Sequence, residues 1–259
     1  MSQVESSAAV PASNPSPTAV ARRAAAEAAV ALLKPGMTVG LGTGDTAAYA
    51  IRALAARKLT GLRCVATSTR SADLARELGL PLFELDDIAP ATAATEKQPI
   101  DITIDGADEI DGVLQLSKGG GGALLFEKLV AQASQSMVVI ADEQKVVRTI
   151  GDLRPLAIEV VRFGALHTLA RIAQLPQVQH AQLRRVVGSE ALFHTDSGNL
   201  IVDAQLQLPP STDAARTLHH TLKQSLGVVE TGLFCDEAAL ALVGQPDGSV
   251  RRLSRQSSK

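Results

Sequence analysis

Two periods of apolar and polar residues alternate along the chain. From Thr18 to Leu33 an Ala-rich stretch runs at helical spacing until Lys34-Pro35-Gly36 stops it. Thr38 to Leu41 reads as a short apolar strand, followed by the glycine turn Gly42-Thr43-Gly44 and a helix from about Asp45 to Arg57. Leu62 to Thr67 predicts a second strand, and Ser71 to Leu78 a helix ending at Gly79. Ile100 to Asp105 alternates apolar and polar residues, as in a strand running into an acidic turn. Beyond the glycines Gly119 to Gly122, a helix is expected over roughly Ala123 to Ala133 and a buried strand over Met137 to Ala141. Strands and helices alternating at this spacing form a parallel sheet flanked by helices.

The pattern changes near Asp152. Strand 156–161, helix 165–173, strands 181–187 and 200–206, helix 212–226 and strand 228–233 give the order β-α-β-β-α-β. The apolar run Ala238 to Val243 is expected to return to the first sheet. The reading is an α/β fold: a Rossmann-like, mostly parallel sheet over residues 18–152 and 230–259, with a smaller ferredoxin-like α+β domain over 153–229. Residues 1–17, rich in Ser, Ala and Pro, read as a disordered tail without the basic-then-apolar order of a secretory signal, and Arg251 to Lys259 as a frayed end.

Composition narrows the function. A net charge of −2 carries no footprint for nucleic acid or an anionic membrane, and no apolar run is long enough to span a bilayer. Aromatic residues are 2% of the chain, so the core is built from Val, Leu, Ile and Ala. Cys64 and Cys235 form no CxxC pair and read as reduced residues of a cytoplasmic protein.

Three segments fall at strand ends, where open parallel sheets bind ligands. Gly40-Leu41-Gly42-Thr43-Gly44-Asp45-Thr46 joins strand to helix; its glycines allow close backbone approach, and the helix start offers free N–H groups to an anion. It reads either as an anion site, with Thr43 and Thr46 as hydroxyl donors, or as a tight turn with Asp45 as helix cap. Asp105-Gly106-Ala107-Asp108-Glu109-Ile110-Asp111 reads as a solvated loop, a Mg²⁺ site or proton-transfer groups. Lys118-Gly119-Gly120-Gly121-Gly122 precedes the helix carrying Glu127; four glycines cost backbone entropy, which a close ligand would justify. Glu127 reads as a catalytic carboxylate or as a surface residue paired with a Lys. Lys145 follows the strand ending Ile140-Ala141-Asp142. His167, His180 and His194 have no ligand spacing, and His219 and His220 read as surface residues.

These motifs together, with Thr67-Ser68, Asp196-Ser197-Gly198-Asn199 and Gly244-Gln245-Pro246-Asp247-Gly248, resemble ribose-5-phosphate isomerases of the A type, from about Lys34 to Gly248. The resemblance implies interconversion of ribose 5-phosphate and ribulose 5-phosphate through an enediol, without metal or organic cofactor. It implies Glu127 as general base, Asp105 in ring opening, and Asp108 and Lys118 in positioning hydroxyls and steadying charge on the carbonyl oxygen. Gly42, Thr43, Gly44, Asp45, Thr46, Gly106, Ala107, Gly119, Gly120, Gly121 and Lys145 would complete the substrate site, with Lys145 near the phosphate. A homodimer, or a tetramer, is also implied.

Two positions depart from the family: Asp45 stands in place of Ser and Phe126 in place of Arg. A carboxylate about 4 Å from a phosphate costs roughly 4 kcal/mol per charge pair at an effective dielectric near 20. Asp45 is therefore expected to turn away as a helix cap, to be offset by Lys145, or to leave the anionic group elsewhere. The two departures favour as rivals an isomerase of a different sugar or a sugar-phosphate sensing module.

Overall fold

A computed structural model of the protein describes residues 15–88, 99–209, 211 and 213–255. Most of the tail expected over residues 1–17 lies outside them, as does the end of the chain beyond residue 255. Ser16 accepts the Ala19 N–H and starts α1 (Pro17–Val30), with Pro17 at its first position.

The elements follow in order: β1 (Thr38–Leu41), α2 (Asp45–Ala56), β2 (Arg63–Ala66), α3 (Thr69–Glu77), β3 (Ile102–Gly106), β4 (Glu109–Ile110), β5 (Leu116–Ser117), α4 (Leu124–Gln132) and β6 (Met137–Asp142). Then come β7 (Leu156–Val160), α5 (Ala165–Ala173), β8 (Val178–Leu183), β9 (Leu200–Leu206), α6 (Ala214–Lys223), β10 (Val228–Thr231), β11 (Leu233–Phe234), β12 (Ala238–Gly244) and β13 (Val250–Ser254).

The main sheet has the order β13-β12-β6-β3-β1-β2 and is parallel except for β13. All six residues of β6 are buried, and alternation divides them between two layers. Val138 and Ile140 join the core under α1 and α2, whereas Met137, Val139 and Ala141 pack with Leu114, Leu116 and Phe234 on the other face. A strand covered on both faces has no polar side, hence the uninterrupted apolar runs of β1 and β6. The chain leaves β1 for β2 on one side and returns to β3 on the other, which opens a crevice between the carboxyl ends of β1 and β3.

The second sheet is antiparallel with the order β10-β7-β9-β8, the arrangement expected of β-α-β-β-α-β. Helices α5 and α6 bury Ile172, Leu218 and Leu222 against one face of it. Its other face meets α4, where Leu124 packs with Ala157 and Ile201.

Two expectations are corrected, and one further sheet appears. The strand expected over 181–187 runs from Val178 to Leu183, because the chain turns outward after Arg184 and leaves Val187 fully exposed. Residues Val250–Ser254 form the antiparallel edge strand β13 rather than a frayed end. A third sheet, β11-β5-β4, had no counterpart in the sequence reading; its pieces are two residues long and show no period.

Candidate active site

Where β1 ends, Gly42 passes directly over Asp105 at the end of β3. A β-carbon at Gly42 would stand 2.1 Å from Asp105 Oδ1, so only glycine fits. Gly44, at φ 112°, turns the chain into α2 and offers no capping side chain. The first N–H groups of α2 therefore remain available at the crevice. Asp45 is the first helical residue and not its cap.

The crevice is lined by Thr43, Gly44, Asp45, Thr46, Gly106, Ala107, Asp108, Lys118, Gly119, Gly120, Gly121, Glu127 and Lys145, and also by Arg22 of α1. Gly42 and Asp105 lie beneath this lining. The Thr43 N–H donates to Asp105 Oδ1 at 3.0 Å, and its hydroxyl donates to Ser68 Oγ at 2.7 Å, so the side chain serves the crevice wall.

At the floor, one buried cation meets two buried carboxylates. Lys118 Nζ lies 3.0 Å from Asp105 Oδ2 and 3.2 Å from Glu127 Oε1, and donates to the Gly106 carbonyl at 2.6 Å. The contact with Asp105 Oδ2 is an ion pair outside hydrogen-bonding angles. Glu127 is 4% exposed, and its Oε2 has no hydrogen-bond partner among the described residues. Burial pushes the Glu127 carboxyl up to about 8; the Asp105 charge adds to the rise and Lys118 opposes it. Asp105 is raised by burial against the pull of Lys118. Burial opposes the charge on Lys118, but Asp105 and Glu127 outweigh it and hold the ammonium well above the ordinary lysine value.

The acidic turn is no solvated loop, because each acid has its own task. Asp108 Oδ2 accepts the Gly120 N–H at 2.7 Å. Glu109, fully buried, accepts the Ser117 hydroxyl and the N–H groups of Gly151, Leu153 and Arg154. Asp111 accepts the N–H groups of Val113 and Gln115 in a tight turn.

The glycine run is explained mostly by protein contacts. A β-carbon at Gly119 would stand 2.7 Å from Ala157 Cβ, one at Gly120 2.7 Å from Asp108 Oδ1, and one at Gly122 2.5 Å from the Phe193 ring. Only Gly121, 3.6 Å from Thr43 Cγ2, has ordinary room.

Both departures find partners. Asp45 pairs with Arg70 at 2.9 Å and lies 3.9 Å from Arg22, so arginines and not Lys145 balance its charge. Arg22 is held by Asp142 at 2.9 Å. Its only trace in the sequence is a basic doublet, Arg22-Arg23, in an Ala-rich helix. Phe126 faces a separate groove with Leu82, Phe83 and Leu129, away from the crevice. His219, expected at the surface, is half-buried with Nδ1 2.7 Å from Thr231 Oγ1, and burial pushes it down to about 4.

The profile of Ribose 5-phosphate isomerase A (phosphoriboisomerase A) matches residues 63–248. The chain belongs to this family. It is 47% identical over 241 residues to Ribose-5-phosphate isomerase A of Caulobacter vibrioides, covering 89% of this chain and 96% of that one. Among solved structures of the family, a D-ribose-5-phosphate isomerase in complex with phospho-erythronic acid superposes with a TM-score of 0.82 at 31% identity, over 90% of this chain and 97% of that one. The ribose 5-phosphate isomerase of Plasmodium falciparum gives 0.81 at 33% identity, over 91% and 98%.

Proposed function

We infer that this protein is an aldose–ketose isomerase that interconverts ribose 5-phosphate and ribulose 5-phosphate, as family membership implies. The observation that carries the mechanism is the buried Glu127 oxygen with no hydrogen-bond partner among the described residues, beside Lys118 at the floor of the crevice. In the open-chain aldose the Glu127 carboxylate takes the proton from C2, and the C1 carbonyl electrons move onto O1. Lys118 and the loop amides face the charge that develops there, where preorganised donors act most strongly. The hydroxyl proton passes from O2 to O1, Glu127 returns its proton to C1, and the C2 carbonyl forms. A positioned base of this kind contributes roughly 10²–10⁴-fold. Asp105 lies beneath the lining and acts through Lys118, whose charge it maintains; Asp108 orients the glycine run and a sugar hydroxyl. The open first turn of α2, with Thr46, Arg22 and Lys145, receives the phosphate.

The reading places the enzyme in the cytoplasm, in the non-oxidative branch of pentose phosphate metabolism, in keeping with two free, buried cysteines. It also expects a homodimer; Phe163, Leu166 and Leu226 are large apolar side chains left exposed for a second copy to cover.

Ribose, ribose 5-phosphate and other pentose 5-phosphates, followed by NMR with and without EDTA, test the activity. Turnover of ribose 5-phosphate far above ribose, unchanged by EDTA, is expected. Binding without turnover would make the protein a sensor, and turnover of another pentose alone would make it a different isomerase.

A further inference from the structure

Arg184 belongs to the second sheet, yet it reaches the glycine run at the crevice. It follows β8 directly, and its N–H donates to Ile201 of β9. Its guanidinium is almost enclosed and forks onto the Asp203 carboxylate, with Nε donating at 2.9 Å. The remaining nitrogen donates to the carbonyls of Gly119 at 2.7 Å and Gly120 at 3.1 Å. The Phe193 ring supports the guanidinium at 5.7 Å and fills the space that a side chain at Gly122 would need.

This anchoring has a stereochemical consequence. In a trans peptide the C=O and the following N–H point in opposite directions. With the Gly119 carbonyl on Arg184, the Gly120 N–H is turned the other way, and there it meets Asp108 Oδ2 at 2.7 Å. With the Gly120 carbonyl also on Arg184, the Gly121 N–H is turned to the same side. Among the described residues it has no protein acceptor, and Gly121 lines the crevice.

We propose that Arg184 is a positioning residue for the isomerisation: by holding two carbonyls of the glycine run, it keeps the Gly120 N–H on Asp108 and aims the open Gly121 amide at the oxygen where charge develops. The proposal rests on the isomerase reading above. It gives the second domain a part in the chemistry through one guanidinium.

Arg184→Met, Arg184→Lys and Asp203→Asn test it, with two probes besides turnover. Phospho-erythronic acid carries a carboxylate where the enediolate forms; ribitol 5-phosphate carries a neutral hydroxyl there. Losing one oxyanion donor costs about 10²–10³ in kcat, so a misaimed donor in Arg184→Met should cost at least about tenfold. Affinity for phospho-erythronic acid should fall in parallel, while affinity for ribitol 5-phosphate and KM stay within about threefold. Arg184→Lys, which can still reach one carbonyl, should fall between. A role in stability alone predicts a lower unfolding temperature with kcat unchanged, or equal weakening of both ligands; either result overturns the proposal. If Arg184→Met does not fold, Asp203→Asn decides, since it loosens the fork but keeps the guanidinium: lowered kcat supports the proposal and unchanged kcat overturns it. Absence of turnover in the wild-type protein would sink the isomerase reading itself, whereas an active wild type with unimpaired variants sinks only the role of Arg184.

Discussion

At Glu127 burial and a neighbouring carboxylate work against a neighbouring ammonium, and burial prevails, leaving the carboxyl at about 8. A base must be deprotonated to act, so kcat/KM should rise with pH through that region, well above the ordinary carboxylate range. Lys118, held protonated by the same two carboxylates, stays charged across the whole span. The apparent value belongs to the Asp105–Glu127 pair. Asp105→Asn removes a like charge and should move the acid limb of the kcat/KM profile to lower pH; a limb that stays in place would show that the two acids do not interact. How these charges shift one another was not legible in the sequence. Glu127 and Asp105 are 22 positions apart by their numbers, and in sequence a surface Glu beside Lys128 reads as well as a buried base. The structure sends Lys128 elsewhere, to Glu230 and the carbonyls of Thr231 and Leu233.

Among the elements, the turn between β3 and β4 shows how one acidic run divides its labour. Asp105 and Asp108 belong to the crevice, but Glu109 is a structural staple that holds the 151–154 segment through three N–H groups. Glu109→Ala would leave those part-buried donors without their acceptor, at about 1–3 kcal/mol each where water cannot replace it. Urea unfolding should therefore show a loss of about 3 kcal/mol or more, with kcat of the folded protein little changed; unaltered stability would contradict the staple. Alternation and glycine stops were enough to read β1, β3, β6 and β9 from the sequence, because sheet burial imposes them residue by residue. The edge strand β8 was misplaced because Val186 and Val187 look like strand but are exposed. The glycine run was read as ligand clearance, whereas at Gly119 and Gly122 it is clearance for Ala157 and Phe193 of the second domain, a contact that no local pattern encodes.

For the whole molecule, the order β2-β1-β3 places the crevice, and α1 then brings Arg22 into its lining together with Lys145. These cations, partly exposed, attract a phosphate through solvent that salt can screen. KM for ribose 5-phosphate should rise between about 0.01 M and about 1 M ionic strength, as the Debye length falls from roughly 30 Å to 3 Å. The same titration should leave the weak turnover of unphosphorylated ribose unchanged; a KM for ribose 5-phosphate insensitive to salt would place the anionic group elsewhere. Motif order made the convergence of Asp105, Asp108, Lys118 and Glu127 legible, but Arg22, Arg70 and Arg184 arrive from α1, from the first turn of α3 and from a second domain whose docking depends on the complete fold. Convergence on one proton-transferring carboxylate is tested most directly by following ribose 5-phosphate deuterated at C2 with the wild type and Glu127→Gln. Wild type should remove the C2 label as it makes ribulose 5-phosphate, and Glu127→Gln should lose label removal and isomerisation together by about 10² or more, while still binding phospho-erythronic acid. A variant that clears the label at more than about a tenth of the wild-type rate would contradict the account.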